Sequence, residues 1–244
     1  GCAFCVCSGH SAPFRRADAD RVLAAIPTDD RRIGLVGAGI GDWSDLARVV
    51  TTLADRGVSV GVSSLRADRL NRELVEGLVR AGTKTVTLAL DGASDRLRSA
   101  IHKGVTAACF LEAVEICRGA GVHGIKVYAM LGLPGEEDED VDALAALLRE
   151  AAGRASVTLA LSPFVPKRGT PLAGAPFAPL PLLAARLDRL RRGLPKGVRL
   201  SQVSPREAWV EYALSQADVG DIEGILSAAR AGGRFRDWRR ALGD

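Results

Sequence analysis

Short apolar runs alternate with amphipathic runs along most of the chain, and this alternation limits the fold more than any other feature of the sequence. TVTLAL at 85–90 is a near-continuous apolar run, of the kind found in strands that are buried on both faces. NRELVEGLVRAG at 71–82 carries its apolar residues at helical spacing. Strands that alternate with helices predict parallel strands joined by right-handed crossovers.

Six strand-like segments follow this pattern, and a helical stretch follows them. The predicted strands are RRIGLVGAGIGD, VSVGVSSLR, TKTVTLALDG, GIKVYAMLGLPG, SVTLALSPFVP and GVRLSQVS. An α/β fold results, either an open doubly wound sheet or a full or partial β/α barrel; both collect functional residues at the carboxyl ends of the strands. We predict a barrel domain over 1–204 and a helical C-terminal extension over 205–244, where strand patterns cease.

Three of the five cysteines lie in the opening GCAFCVCSGH, as Cys2, Cys5 and Cys7. A C-x-x-C pair lets two thiolates in one turn reach one metal ion or cluster, and Cys7 could add a third ligand. Zinc, a redox dithiol and small buried cysteines are the other interpretations, although no further His or Cys follows at zinc spacing. Cys109 and Cys117 lie among apolar helix positions, and we expect them in the core.

Composition narrows the class of protein. The net charge of +4 comes from arginines interleaved with acidic residues, which is typical of solvated helix faces rather than of a nucleic-acid-binding patch. No apolar run is long enough to span a membrane, and no secretory signal pattern is present. An odd number of crowded cysteines argues against a secreted disulfide framework, so we predict a cytoplasmic protein without membrane contact.

The cysteine segment resembles the C-x-x-x-C-x-x-C motif of the radical S-adenosylmethionine (radical SAM) superfamily, in which an aromatic residue precedes the last cysteine. Cys2 and Cys5, with Phe4 between them, are similar to the second and third cysteines of that motif. The first would then lie four positions before Cys2, together with the first strand, and the chain would be truncated just inside the motif. In a rival interpretation Cys7 is the third ligand, with irregular spacing.

Other segments carry the resemblance as far as about Leu172, and they point to the cobalamin-linked and methylthiotransferase-like branch. They are GLVGAGIGDWSDL, VSVGVSSLRAD, TVTLALDGASDRLRSAIHKG, IKVYAMLGLPGEEDEDV and LSPFVPKRGTPL.

The resemblance implies a partial (β/α)6 barrel that binds a [4Fe–4S] cluster and SAM, and cleaves SAM to a 5′-deoxyadenosyl radical for methylation, methylthiolation or a related reaction. Asp91 matches an acidic strand-end residue and Lys103 a basic residue near the SAM carboxylate. The segment IKVYAMLGLPGEEDEDV at 125–141 matches one whose backbone faces adenine. The implied metal ligands are Cys2, Cys5 and Cys7. The implied SAM-binding residues are Phe4, Gly37, Gly39, Ser64, Arg66, Asp91, Ser94, Lys103, Leu131 and Gly132.

The same resemblance implies partners and leaves the substrate open. Cobalamin would come from an upstream domain, and an electron donor such as flavodoxin or ferredoxin would reduce the cluster. The substrate would be a small molecule or RNA. Two other functions stay open: a non-catalytic iron–sulfur or zinc module for a protein or RNA partner, and a β/α-barrel enzyme whose cysteines are incidental.

Individual site residues also have plainer interpretations. Asp91 could cap the helix that begins near Ser94, because Asp is a good N-cap. Lys103 could be a solvated cation at a helix end. Ser64 and Arg66 could be loop residues, and Gly132 could serve only a tight turn.

Overall fold

Six parallel strands form the sheet of this protein, as the sequence predicts. The structure is a computed structural model that describes residues 1–10, 15–27 and 29–243. The strands are β1 (Arg32–Leu35), β2 (Ser59–Val62), β3 (Thr85–Asp91), β4 (Gly124–Leu131), β5 (Ser156–Pro163) and β6 (Arg199–Gln202).

The strands lie side by side in chain order. β1 pairs with β2, and β3, β4, β5 and β6 form a second parallel group. Leu65 joins the two groups: its N–H donates to the Thr87 carbonyl at 2.8 Å, and its carbonyl accepts from the Ala89 N–H at 3.1 Å. A doubly wound sheet reverses its strand order at a switch point. Sequential order is instead that of a β/α barrel left open.

Helices connect and cover the strands. They are α1 (Val6–His10), α2 (Ala19–Ala25), α3 (Leu46–Asp55), α4 (Arg72–Arg80), α5 (Asp95–Ala100), α6 (Ala107–Gly119), α7 (Asp138–Ala152), α8 (Leu180–Gly193), α9 (Pro205–Gln216), α10 (Ile222–Arg230) and α11 (Phe235–Leu242). Side-chain caps set several starts: Asn71 accepts from the Leu74 N–H at 2.9 Å at the start of α4, and Thr106 from the Cys109 N–H at 3.2 Å at the start of α6.

The two faces of the sheet differ, and the prediction of burial on both faces holds only in part. On β4, the helix-facing side chains Ile125, Val127, Ala129 and Leu131 are at most 3% exposed. Tyr128 on the opposite face is 37% exposed, and Lys126 is half-buried. The helices therefore cover one face, where the core lies, and the other face stays open to solvent.

Residues after β6 form helices that pack on the barrel. Tyr212 of α9 stacks on Phe177, with ring centroids 5.2 Å apart, and Glu211 pairs with Lys167 at 2.5 Å. α10 and α11 pack on each other and reach α9 through the edge contact of Phe235 with Trp209. Among the described helices, none has the length and apolar character to cross a bilayer.

Candidate active site

The cysteine segment is held by its backbone against two distant parts of the chain. The Ala3 N–H donates to the Ile101 carbonyl at the end of α5 at 2.9 Å, and the Ala3 carbonyl accepts from the Leu172 N–H at 3.3 Å. Ala3 is 4% exposed, so these bonds are shielded from water. Cys2 and Cys5 flank this anchor and are fixed at the carboxyl end of the sheet.

The two thiols have different electrostatic environments. Burial raises the pKa of Cys2, while the nearby cations of Lys103 and Arg66 act in the opposite direction. Burial also acts to raise the pKa of Cys5, but hydrogen bonds from Ser8 and Cys7 outweigh it and leave the pKa below its ordinary value. Cys5 is thus the thiol with more thiolate character, which is the form that ligates metal.

The third predicted ligand, Cys7, contacts Cys5 but does not complete a three-ligand group with Cys2 and Cys5. Cys2 and Cys5 are half-buried, whereas Cys7 is exposed on α1. Within residues 1–10, 15–27 and 29–243, no three His, Cys, Asp or Glu side chains are grouped to hold one metal ion. Two neighbouring thiols next to two cations therefore fit part of the three-thiolate set that an open-sited [4Fe–4S] cluster takes.

A buried ion pair lies beside Cys2. The Lys103 Nζ is 2.5 Å from the Asp91 Oδ2, and the side chains are 7% and 15% exposed. The solvated-cation interpretation of Lys103 is therefore wrong. Asp91 does not cap α5 either: Ser94 does, through its Oγ and the Leu97 N–H at 3.2 Å. Asp91 instead ends β3 with φ at 63°, in the left-handed region.

Arg98 holds the two loops that carry this ion pair, and sequence reasoning missed it. Its guanidinium is 2% exposed; it donates to the Val105 carbonyl at 2.6 Å and to the Gly92 carbonyl at 2.9 Å, and also pairs with Asp95. Its own carbonyl accepts from the Lys103 N–H at 2.8 Å. The chain just after Asp91 is thereby tied to the chain around Lys103. The helical position offered no signal, because most other arginines on these helices are solvated.

Arg66 is a structural neighbour of Lys103 rather than a free loop residue. Its guanidinium group donates two hydrogen bonds to the Asp68 carboxylate, at 2.9 and 2.8 Å. It also donates to the Lys103 carbonyl at 2.8 Å. The hydrogen bonds to Asp68 raise the pKa of Arg66, so its charge beside Cys2 is permanent. Ser64 is half-buried in the same loop after β2.

Gly37, Gly39 and Phe4 lie around the same end of the sheet. Gly37 and Gly39 form an exposed turn directly after β1, and Gly39 has φ at 67°. This turn leads to Gly41, where an added Cβ would lie 3.5 Å from the backbone nitrogen of Arg66. The loop after β1 therefore contacts the loop after β2. Phe4 is half-buried and packs against the hydrophobic core.

The turn after β4 is built around a buried carboxyl group. Gly132 has φ at 82°, and its N–H donates to Glu136. The Glu136 side chain is 0% exposed, and burial raises its pKa to about 7, although the nearby Arg186 acts against this. Leu131, just before the turn, is buried and accepts from the Phe164 N–H at 2.7 Å. Nothing in the local sequence marks Glu136 as a buried group, because it lies in the acidic run EEDED at 136–140.

Ser94 makes two hydrogen bonds, and one of them connects neighbouring elements of the chain. Its Oγ donates to the Asp140 carboxylate at 2.5 Å while it caps α5. Asp140 also accepts from Arg96, which in turn donates to the Gly135 carbonyl at 2.9 Å. These bonds hold the loop after β3 against the loop after β4, and the SAM-binding role of Ser94 stays a prediction.

The arrangement suits a zwitterionic ligand beside a thiolate-bound metal. An ion pair in a dry site can exchange partners with a ligand that carries both an ammonium and a carboxylate group, because each charge finds its opposite. Lys103 would meet the carboxylate and Asp91 the ammonium group.

Known proteins resemble this chain in sequence. The family profile described as the radical SAM superfamily matches residues 1–148. The uncharacterized protein MJ0966 of Methanocaldococcus jannaschii is 31% identical over 175 residues, which are 69% of this chain and 39% of that protein. A tRNA-2-methylthio-N(6)-dimethylallyladenosine synthase of Cereibacter sphaeroides is 28% identical over 227 residues, which are 86% of this chain and 51% of the synthase. The chain thus spans between 39% and 51% of the length of these curated relatives.

Solved structures resemble it in fold. The radical S-adenosylmethionine methyltransferase TsrM from Kitasatospora setae, solved with cobalamin and a [4Fe–4S] cluster, has a TM-score of 0.56 at 14% identity, over 86% of this chain and 52% of TsrM. Methylornithine synthase has a TM-score of 0.51 at 14% identity, over 99% of this chain and 81% of the synthase. Both likenesses support an α/β fold with parallel strands, of the partial-barrel type.

Proposed function

This chain belongs to the radical SAM superfamily, and we propose that it is the catalytic domain of an enzyme that cleaves SAM reductively to begin a radical reaction. The observation that carries the proposal is the buried Asp91–Lys103 ion pair beside Cys2, at the carboxyl end of the sheet. SAM has one ammonium and one carboxylate group on the same carbon, which is the zwitterion that such a pair suits.

Cys2 and Cys5 are the proposed cluster ligands of this chain. Bound there, a [4Fe–4S] cluster would leave one iron for SAM and, once reduced, supply the electron that yields a 5′-deoxyadenosyl radical. The third thiolate comes from Cys7, after a rearrangement of α1, or from a residue that precedes Gly1. Anchoring of Ala3 to Ile101 and Leu172 fixes where the two thiols can stand.

Lys103 and Asp91 orient SAM. The Nζ of Lys103 donates to the carboxylate and the Asp91 carboxylate accepts from the ammonium group, so the two contacts fix both polar ends of the amino-acid part. Arg98 and Arg66 hold the backbone around both residues, which keeps them in place before SAM arrives. Gly132 and Leu131 supply the backbone that would face adenine.

The reaction that follows is a methylation, a methylthiolation or a related radical reaction. The tRNA-methylthiolating relatives support methylthiolation, and the fold likeness to a cobalamin-bound methyltransferase supports methylation. Cobalamin would enter from another domain of the full protein, and a flavodoxin or ferredoxin would deliver electrons.

A single experiment tests the function. The full-length protein is reconstituted anaerobically with iron and sulfide, reduced, and assayed for 5′-deoxyadenosine from SAM, with Cys5→Ala and Cys7→Ala beside it. We expect production that disappears in Cys5→Ala. Retained production in Cys7→Ala assigns the third thiolate to a residue before Gly1, and its loss assigns Cys7.

Two results would contradict the proposal. A protein that loads a cluster and never cleaves SAM is a binding module. A protein that binds zinc, or no metal, makes the cysteines a structural or incidental feature.

A further inference from the structure

A row of polar side chains crosses the open face of the sheet below the site. Strand register places Lys126 of β4 between Thr87 of β3 and Thr158 of β5, and places Arg199 of β6 next to Thr158. Residues paired across parallel strands point to the same face. We call Thr87, Lys126, Thr158 and Arg199 the basic row.

Lys126 has no acidic partner in this row. It is half-buried, and its Nζ lies 5.1 Å from the ring centroid of Tyr128, on the same face. Of the carboxylates in the described part of the chain, none comes within 4.0 Å of this Nζ. A partly desolvated cation that is met only by an aromatic ring has unused capacity for an anion.

The charge on the whole open face has one sign. Strand alternation places Arg32, Lys126 and Arg199 on it, and no Asp or Glu occupies a strand position there below Asp91. The adjacent row toward the cysteines is Ala89, Tyr128, Ala160 and Ser201. Three of these side chains are small and leave space above the basic row on both sides of the Tyr128 ring. An anion would therefore meet cations and hydroxyl donors, with no like-charge repulsion from the strands.

We propose that the basic row binds the carboxylate or phosphate group of a small organic substrate, whose reacting carbon lies nearer the cysteine segment. The inference rests on the proposed function, because it places the row on the open face of the sheet below the point where the radical would form. Lys126 stands five residues before Leu131, the last residue of β4, which is about 16 Å along a strand. The anionic group and the reacting carbon would thus be separated by roughly 10–15 Å.

The depth of the row favours a small molecule over RNA. A nucleotide of an RNA chain would enter the open face base-first, because its phosphates are joined to the rest of the strand outside. Its charges would then meet the rim of the sheet, whereas the basic row lies well below the rim. A free anion has no such restriction.

The test is a calorimetric titration of the full-length protein without SAM or reductant. Citrate and inorganic pyrophosphate are the two probes, because they separate carboxylate from phosphate binding. Lys126→Met is compared with Lys196→Met, which removes the same charge from an exposed position before β6. We expect one of the two probes to bind the wild-type protein. Its affinity for Lys126→Met should be lower by about tenfold or more, and its affinity for Lys196→Met should equal that for the wild-type protein.

Three results would overturn the inference: no binding of either probe to the wild-type protein, equal losses in both variants, or, in a third titration with a tRNA as the probe, binding of the tRNA alone. Failure here is distinguishable from failure of the function. If the wild-type protein cleaves SAM and binds neither probe, only the proposed anion site is wrong. If it binds a probe through Lys126 and never cleaves SAM, the anion site is supported and the proposed reaction is wrong.

Discussion

At the residue scale, Asp91 combines an unusual backbone conformation with a buried ion pair. Its backbone is left-handed, with φ at 63°, and its carboxylate neutralises a Lys103 that is 7% exposed. Asn and Asp tolerate this backbone region better than other non-glycine residues. Few side chains therefore satisfy the position, which is consistent with a site whose geometry is set before its ligand binds.

Substitution of Asp91 separates these two features. We expect Asp91→Asn to lower the free energy of unfolding because Lys103 loses its counter-charge, and Asp91→Ala to lower it by about 1–2 kcal/mol more, because Ala adds backbone strain and removes the acceptor oxygen. Urea unfolding of both variants measures the difference. Equal midpoints would show that the left-handed backbone imposes no strain at this position.

Glu136 predicts a pH dependence of stability. Burial raises its pKa from 4.5 to about 7, so between these values the folded protein keeps a proton that the unfolded chain has lost. Its contribution is complete below pH 4.5 and is lost as the pH rises through 7, by about 3 kcal/mol in total. We expect Glu136→Gln to remove this part of the slope in unfolding measurements from pH 4.5 to 7. An unchanged slope would assign it to other groups.

Sequence reasoning found the residues that would touch a ligand better than those that hold them. Asp91 and Lys103 stood out because a family resemblance gave them roles, and the structure brings them together. Arg98, Glu136, Asp140 and Arg186 carried no such mark. Their importance comes from burial, and for Glu136, Asp140 and Arg186 also from partners that are distant in sequence, such as Arg186 for Glu136. A local sequence pattern shows neither property.

At the scale of elements, the turn between β4 and α7 depends on a close approach. A Cβ on Gly132 would lie 2.7 Å from Leu183 of α8 and 2.8 Å from Ala178, and φ is 82°. Gly135 in the same turn has φ at 71° and no atom within 4 Å of an added Cβ. The two glycines thus share backbone strain and differ in steric surroundings.

These glycines form a matched pair of variants. We expect Gly135→Ala to cost about 1 kcal/mol from backbone strain and Gly132→Ala about 2–4 kcal/mol, because α8 must also move. Thermal unfolding of the two proteins compares them directly. Similar losses would mean that α8 adapts freely and does not confine the turn.

Element positions were predictable where apolar periodicity is strong, and all six strands occur in the segments predicted. The start of α3 was not predictable from the sequence. Asp42 is a good N-cap residue and predicts a helix that begins there, but it ends a short 3-10 turn, and α3 begins at Leu46. Asp42 instead pairs with Arg69 at 3.2 Å in the next loop. A tertiary ion pair thus replaced the local cap, which sequence periodicity does not reveal.

At the scale of the whole molecule, the helices after β6 are joined to the barrel chiefly through α9. Ala208 of α9 is 1% exposed. In the segment after β5, Phe177 contacts Tyr212 and Lys167 pairs with Glu211. α10 and α11 contact mainly each other and α9. The predicted boundary at 204/205 therefore separates the strand-and-helix part of the chain from a purely helical part, and α9 of the helical part packs against the barrel.

Two truncations test how far the barrel relies on these helices. We expect removal of 218–244 to leave the unfolding midpoint of the barrel nearly unchanged. We expect removal of 205–244 to lower its free energy of unfolding by about 2–4 kcal/mol, through the lost Tyr212 stacking and the exposed core around Ala208. Circular dichroism during urea titration reports both. Equal effects would mean that α10 and α11 supply the stabilisation.

The anchoring of Ala3 has a consequence for how the protein is made. Its partners are Ile101 and Leu172, so the cysteine segment leaves the ribosome long before the residues that hold it in place. At about 5–20 residues per second, the interval between Ala3 and Leu172 is roughly 10–30 s. During that time the thiols of Cys2 and Cys5 are unprotected from oxidants. Iron–sulfur loading of a nascent chain would therefore have to wait for translation to pass β5.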